Sequence, residues 1–403
     1  MTTTDAVPEY PMTRAEGCPF DPPPQLTQLQ REAPLVKVGI FGKPAWMVTR
    51  YADQRQLLPD KRISADVFRP DFPGATREPL PESERRSVGF VVMDDPEHAR
   101  LRRMVSAPFA IKRVEAMRPR IQGIADRLID HLLDGPRPVD LVTAFALPMG
   151  LQVICELLGV PYEDRDSFER DSNQLANTSL PMEVRVQARI RIGKYLDKLV
   201  GDKLARPGDD LLSGLTAQIR AGELTRWDAA GIGVLLLSAG HETASNMIAL
   251  STLALLENPD QLKLLRDSDD PAVVAGAVEE LLRYLTINHH SRRRQVIEDF
   301  EYDGQLLKAG EGILFPSDIA NRDPSVFEEP DRLDLTRDAS RHITFSVGPH
   351  ACLGQPLARV ELQVVFSTLY RRIPTLRRAV PLDELSFKQD VATYGVHSLP
   401  VTW

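Results

Sequence analysis

The sequence predicts a mainly α-helical protein with a minor β part. Three observations support this. Apolar residues recur at three- and four-residue steps from about residue 95 to residue 285, as in Ile121, Ile124, Ala125, Leu128 and Leu132. The stretch 225–256 is apolar on nearly every face, as a helix inside a large protein must be. Strand signals are sparse and confined to residues 39–50, 295–313 and 385–403.

Each element follows from its residues. The helix through Ile121 buries one stripe, and residues 147–158 and 184–204 carry similar patterns. The 225–256 helix contains GIGVLLLSAGHETASNMIALSTLALL. The 32 prolines crowd toward the start, so residues 1–24 read as an irregular segment. No repeat and no Gly/Ser linker divides the 403 residues, so one domain over 1–403 is expected.

Composition excludes several functions. A net charge of −8 argues against a nucleic-acid partner. The longest apolar run, 229–239, is too short to span a bilayer, and the N-terminus lacks an apolar signal core. Three widely spaced cysteines (Cys18, Cys155, Cys352) form no CxxC pair. They fit a reducing cytoplasm better than a disulfide framework.

Cys352 stands apart from the other two. Residues 345–359 read FSVGPHACLGQPLAR, with Gly348 and Gly354 bracketing the cysteine. Leu357, Val360 and Val364 form a helical stripe after it, and Pro356 suits a first helical turn. The cysteine therefore sits where a loop enters a helix. Orphan N–H groups there favour a thiolate. Cys18 and Cys155 read as small buried hydrophobes.

The segment resembles the haem-binding signature of the cytochrome P450 family, F-G-x-G-x-H-x-C-x-G. Phe345, Gly348, His350, Cys352 and Gly354 match, while Ser346 replaces a glycine. If that position needs φ > 0, serine costs on the order of 1 kcal/mol. The resemblance implies haem b bound by the Cys352 thiolate, the iron ligand of that family. It also implies a P450-type fold with haem between the long buried helix and the cysteine loop.

Other motifs follow in the family's order. Ala239-Gly240-His241-Glu242-Thr243 resembles the oxygen-activation motif. Splitting dioxygen needs two protons, which a carboxylate, a hydroxyl and water can relay. Gly240 removes bulk and would let the helix widen locally. Zinc is excluded, because H-E-x-x-H needs a histidine where Ser245 stands. Glu280-Leu-Leu-Arg283 resembles the structural E-x-x-R helix, with Arg332 as the expected third member. His98 and Arg102 share a helical face and suit a haem propionate. Arg294, beside Arg292 and Arg293, resembles the arginine of the other propionate, and His350 is expected to join these contacts.

The implied activity is a monooxygenase that hydroxylates a hydrophobic small molecule, acting as a monomer. The motifs look most like the actinomycete branch acting on macrolides, polyketides, steroids and foreign compounds. No flavin fingerprint is present, so electrons would come from a ferredoxin and its reductase. Arg100, Arg103, Lys112 and Arg113 are a candidate docking face. Pocket walls are expected from residues 68–92, 167–183, 236–243, 285–291 and 391–397. Within these, His289 and His290 would contact a polar substrate or face solvent. Two other readings are a haem-thiolate isomerase or peroxide-driven enzyme, and a haem-containing recruitment module. An intact Glu242-Thr243 pair argues against the first.

Overall fold

The computed structural model describes residues 7–15, 18–74, 89–177, 180–389 and 391–403. Helices dominate. In chain order they include α1 (Pro24–Glu32), α2 (Tyr51–Leu57), α3 (Glu97–Ser106), α4 (Ile111–Asp134), α5 (Leu147–Leu158), α6 (Arg165–Ala176), α7 (Met182–Ala205), α8 (Arg226–Glu257), α9 (Pro259–Asp267), α10 (Pro271–Leu285) and α11 (Gln355–Arg372).

Helix α8 is the axis of the helical part. A capping box starts it: Asp228 N donates to Thr225 Oγ1 at 3.0 Å, and Thr225 N donates back to Asp228 Oδ2 at 2.8 Å. Its residues from Ala244 to Leu255 are all buried, so no face is left for water. It packs on α5 and α7, while α11 packs on α4 and α10. The helix runs unbroken through Gly240, without the expected local widening. No helix among the described residues is long and apolar enough to cross a membrane.

The β part is small. Strands β1 (Glu9–Tyr10), β2 (Leu35–Ile40), β3 (Lys43–Val48), β4 (Ile63–Ser64), β6 (Arg292–Val296) and β9 (Gly312–Phe315) form a sheet in the order β1-β2-β3-β9-β6-β4. β10 (Arg377–Arg378), β11 (Pro400–Thr402) and β5 (Val139–Asp140) form a second sheet. β7 (Phe300–Tyr302) and β8 (Gln305–Leu307) pair as a hairpin. The 39–50 and 295–313 signals therefore mark real strands. The 385–403 signal is regular only at β11 and otherwise makes isolated bridges such as Phe387 with Val396.

The N-terminal segment is more tied down than its prolines suggest. β1 pairs in parallel with β2, and Tyr10, Met12 and Arg14 are buried. The Tyr10 hydroxyl donates to His289 O at 2.8 Å.

Candidate functional site

One apolar cavity of about 320 Å³ lies between α8, α5 and the loop that enters α11. Phe90, Phe109, Val153, Ile154, Leu235 and Leu357 supply much of its wall. Of the three cysteines, only Cys352 lines it.

The cysteine loop is built by tight backbone geometry. Cys352 N donates to Phe345 O at 2.7 Å and closes the loop. Ser346 and Gly348 hold φ of 64° and 79°, the left-handed region where a Cβ is unwelcome. The serine thus occupies the strained conformation that its substitution for glycine raised as a question. Its hydroxyl is buried without a partner. A Cβ at Gly348 would come within 2.9 Å of Pro59.

Burial pushes the Cys352 thiol up from its ordinary value. The N–H groups of Gly354 and Gln355 and the guanidiniums of Arg292 and Arg102 pull it down. The N–H groups at the helix entry thus act against that rise, in the direction the sequence suggested. A coordinated metal removes that obstacle, since it deprotonates a bound thiol outright.

From α8, the cavity receives Ala239, Gly240, Thr243 and Ala244. Thr243 Oγ1 donates back to Ala239 O at 2.5 Å. A Cβ at Gly240 would sit 3.2 Å from Ile154 Cδ1, so this glycine also admits α5. Glu242 does not line the cavity. Its carboxylate lies 3.9 Å from Lys388 Nζ, which donates to Asn246 Oδ1 at 2.9 Å. Burial raises the Glu242 pKa, and Lys388 and Arg185 oppose the rise.

Cations gather on the other side. Arg102, Arg292, Arg294 and His350 line the cavity with Phe345 and Gly354. Arg293 points out, donating to Pro73 O and Gly74 O, because side chains alternate along β6. Burial brings Arg292 and Arg294 down to about 10. Their hydrogen bonds go to the carbonyls of Thr344 and Arg293, and Arg292 Nη1 is buried without a partner. His98 lies just behind the wall. It stacks on His350 with centroids 4.1 Å apart, and its Nε2 is buried without a partner.

Behind the cysteine loop, Arg283 Nε and Nη2 donate to the Glu280 carboxylate at 2.7 and 2.8 Å. Arg332 is not the third member. Its side chain is exposed and pairs with Glu329, and only its backbone carbonyl reaches Arg283. Arg337 Nε stands on Glu280 instead, at 3.3 Å. The spacing of two arginines in one irregular segment could not distinguish them.

The family model for cytochrome P450 matches residues 21–373. The chain belongs to the cytochrome P450 family. Over 399 residues it is 54% identical to cytochrome P450 GfsF of Streptomyces halstedii, covering 98% of this chain and 96% of that one. The crystal structure of GfsF matches with a TM-score of 0.93 over 98% of this chain and 100% of that chain. Vitamin D3 dihydroxylase of Streptomyces griseolus is 41% identical over 405 residues, covering 100% and 98%. The crystal structure of the methyl hydroxylase MycCI of Micromonospora griseorubida, bound to mycinamicin VIII, matches with a TM-score of 0.88. That match has 37% identity and covers 98% and 100%.

This P450 is accordingly a haem monooxygenase acting on a small molecule, with a cysteine thiolate as axial ligand. The cavity fits that cofactor. A lone thiol faces it, and two half-buried guanidiniums, Arg292 and Arg294, border it with no carboxylate in salt-bridge range among the described residues. Such cations call for a ligand that brings its own anions.

Sequence reasoning missed Glu361, the one acidic side chain in the cavity wall among the described residues. It falls on the stripe of Gly354, Leu357 and Ala358 at helical spacing, a signal that could have found it. Its Oε1 is buried without a partner, and burial pushes its carboxyl up to about 8. The expected pocket walls are met in part: Phe90, Val91, Leu236, Ala239, Gly240 and Thr243 line the cavity. None of 167–183, 285–291 or 391–397 does so among the described residues, and 75–88 and 178–179 lie outside them. His289 is buried at 2% exposure and does not face solvent.

Proposed function

We propose that this P450 inserts one oxygen atom of O2 into an unactivated C–H bond of a bulky, hydrophobic small molecule. One observation carries this reading. Cys352 and Thr243 border the same apolar cavity from two different elements. Cys352 would hold the haem iron. Arg102, Arg292, Arg294 and His350 would hold the propionates, with His98 behind them. Phe345 and Gly354 would frame the ligand loop. When bound, thiolate-ligated haem supplies the cleavage of the O–O bond.

The chain's own residues do the rest. Thr243 presents its hydroxyl to the cavity and can pass a proton through water. Glu242 is the nearby carboxyl reservoir, held back by Lys388. Ala239 and Gly240 keep that wall low. Phe90, Val91, Leu235 and Leu236 shed water from the chamber. Relatives named for vitamin D3 and mycinamicin VIII support a large secondary metabolite or steroid-like substrate.

Electrons would arrive from a ferredoxin and its reductase. Arg103, Lys112 and Arg113 are exposed on α3 and the start of α4, the region that also sends Arg102 and Phe109 to the cavity. Arg100 and Arg113 are partly offset by Glu97 and Asp209. The protein would work as a monomer in the cytoplasm.

Turnover of a steroid and macrolide panel under isotopically labelled dioxygen, with ferredoxin and reductase, tests the proposal. One labelled oxygen atom per product is expected. Product that forms without incorporation, or from peroxide alone, would overturn it.

A further inference from the structure

Asn321 lies outside the cavity and outside every motif read above. It follows a short helical turn, Ser317–Ala320, and is fully buried. Its side-chain amide is used three times. Nδ2 donates to Thr286 Oγ1 and to Thr344 Oγ1, each at 2.8 Å, and Oδ1 accepts from Ile343 N at 2.8 Å. Its backbone carbonyl accepts from Arg283 Nη1 at 2.9 Å.

These partners belong to separate parts of the site. Thr286 ends α10 in a left-handed conformation, at φ 33°. Ile343 and Thr344 run directly into Phe345, whose carbonyl accepts from Cys352 N. Thr344 O accepts from Arg292 Nη2 at 2.6 Å. One amide therefore joins the Glu280–Arg283 helix, the entry to the cysteine loop and the anchor of a cavity arginine.

The donor count specifies asparagine. The Thr286 hydroxyl donates to Arg283 O at 2.8 Å, and the Thr344 hydroxyl donates to Leu282 O at 2.8 Å. Both hydroxyl hydrogens are committed, so both oxygens need an outside donor. A primary amide offers two N–H bonds and an acceptor from one small group. Aspartate offers only acceptors when ionised, and leucine offers nothing.

We propose that Asn321 is a positioning residue that sets the Cys352 loop and the Arg292 guanidinium relative to α10. It acts on the haem through those two residues and touches no substrate. The inference rests on Cys352 being the haem ligand.

The test uses the haem-loaded protein with Asn321→Leu, Asn321→Asp, Thr344→Val and Thr344→Ser. Three quantities are read: the fraction of haem giving a thiolate-type CO difference spectrum, the haem reduction potential and the thermal midpoint. Asn321→Leu and Thr344→Val should lower the ratio of thiolate-ligated to other haem by about tenfold, as expected for a buried polar group left unpaired. Both should also shift the potential. Asn321→Asp should behave likewise, and Thr344→Ser should match the wild type. If Asn321→Leu fails to fold, the Thr344→Val and Thr344→Ser pair carries the comparison, since Val keeps the shape of threonine. Wild-type ratio and potential in Thr344→Val, whatever its thermal midpoint, would overturn the proposal. Failure of the underlying ligand assignment looks different, because the wild type itself would then lack the thiolate spectrum.

Discussion

Glu280 and Arg283 lie one helical turn apart and share two hydrogen bonds, with neither side chain exposed. Removing Glu280 leaves the Arg283 guanidinium buried without its carboxylate, and removing Arg283 leaves the buried Glu280 only the more distant Arg337, at 3.3 Å. Glu280→Ala or Arg283→Met should cost about 3–5 kcal/mol. Arg283→Lys should fail to rescue, since an ammonium cannot repeat the planar fork. Urea unfolding measures this, and a loss below about 1 kcal/mol would contradict it.

Ser346 supplies a prediction of opposite sign. Its φ of 64° and its partnerless hydroxyl both penalise serine. Ser346→Gly should stabilise the protein by about 1 kcal/mol, less the entropy that glycine adds to the unfolded chain. A destabilised variant would show that the hydroxyl contributes something the geometry does not reveal.

Two buried histidines predict an acid limb. Burial chiefly, helped by cations, brings His241 and His289 down to about 4 from 6.5. Their protons therefore bind first to the unfolded chain. Stability is intact above pH 6.5 and drains as pH falls toward 4. His289→Gln should flatten part of that slope in unfolding measurements across the window. An unaltered slope would mean His289 is not held neutral.

Glu361 gives the alkaline counterpart. Its folded value of about 8 lies above the ordinary 4.5. Its contribution is complete below pH 4.5 and is lost as pH rises through 8. Glu361→Gln should stabilise the protein at pH 8 by on the order of a few kcal/mol and remove that decline. Equal pH profiles for the two proteins would refute the assignment.

Thr243 and Lys388 predict changes in coupling. Thr243→Ala should divert electrons from product to peroxide. Lys388→Met removes the cation 3.9 Å from Glu242, so the carboxyl should rise further and proton delivery should gain a different pH dependence. Peroxide released per reducing equivalent is the measurement, and wild-type coupling in Thr243→Ala would count against the relay.

Much of this molecule is legible in its sequence. The cysteine loop, the long interior helix and the E-x-x-R pair are carried by local patterns and sit where expected. Three features depended on more. Arg292 and Arg294 face in while Arg293 faces out, and only the pairing of β6 with β9 reveals that phase. Arg337 rather than Arg332 reaches Glu280 because an irregular segment determines which side chain turns inward. The outward aim of Glu242 was within reach: a helix wall made of 239, 240, 243 and 244 leaves residue 242 on another face.

The alternation along β6 also constrains how this gene can vary. Adding or deleting one codon between Arg292 and Gln295 would reverse the inside and outside faces of the strand beyond that point. The chamber would then exchange an inward arginine for one now directed at Pro73 and Gly74. Length changes should be tolerated in the β7–β8 hairpin and purged from this strand, a contrast that an insertion-scanning library would expose.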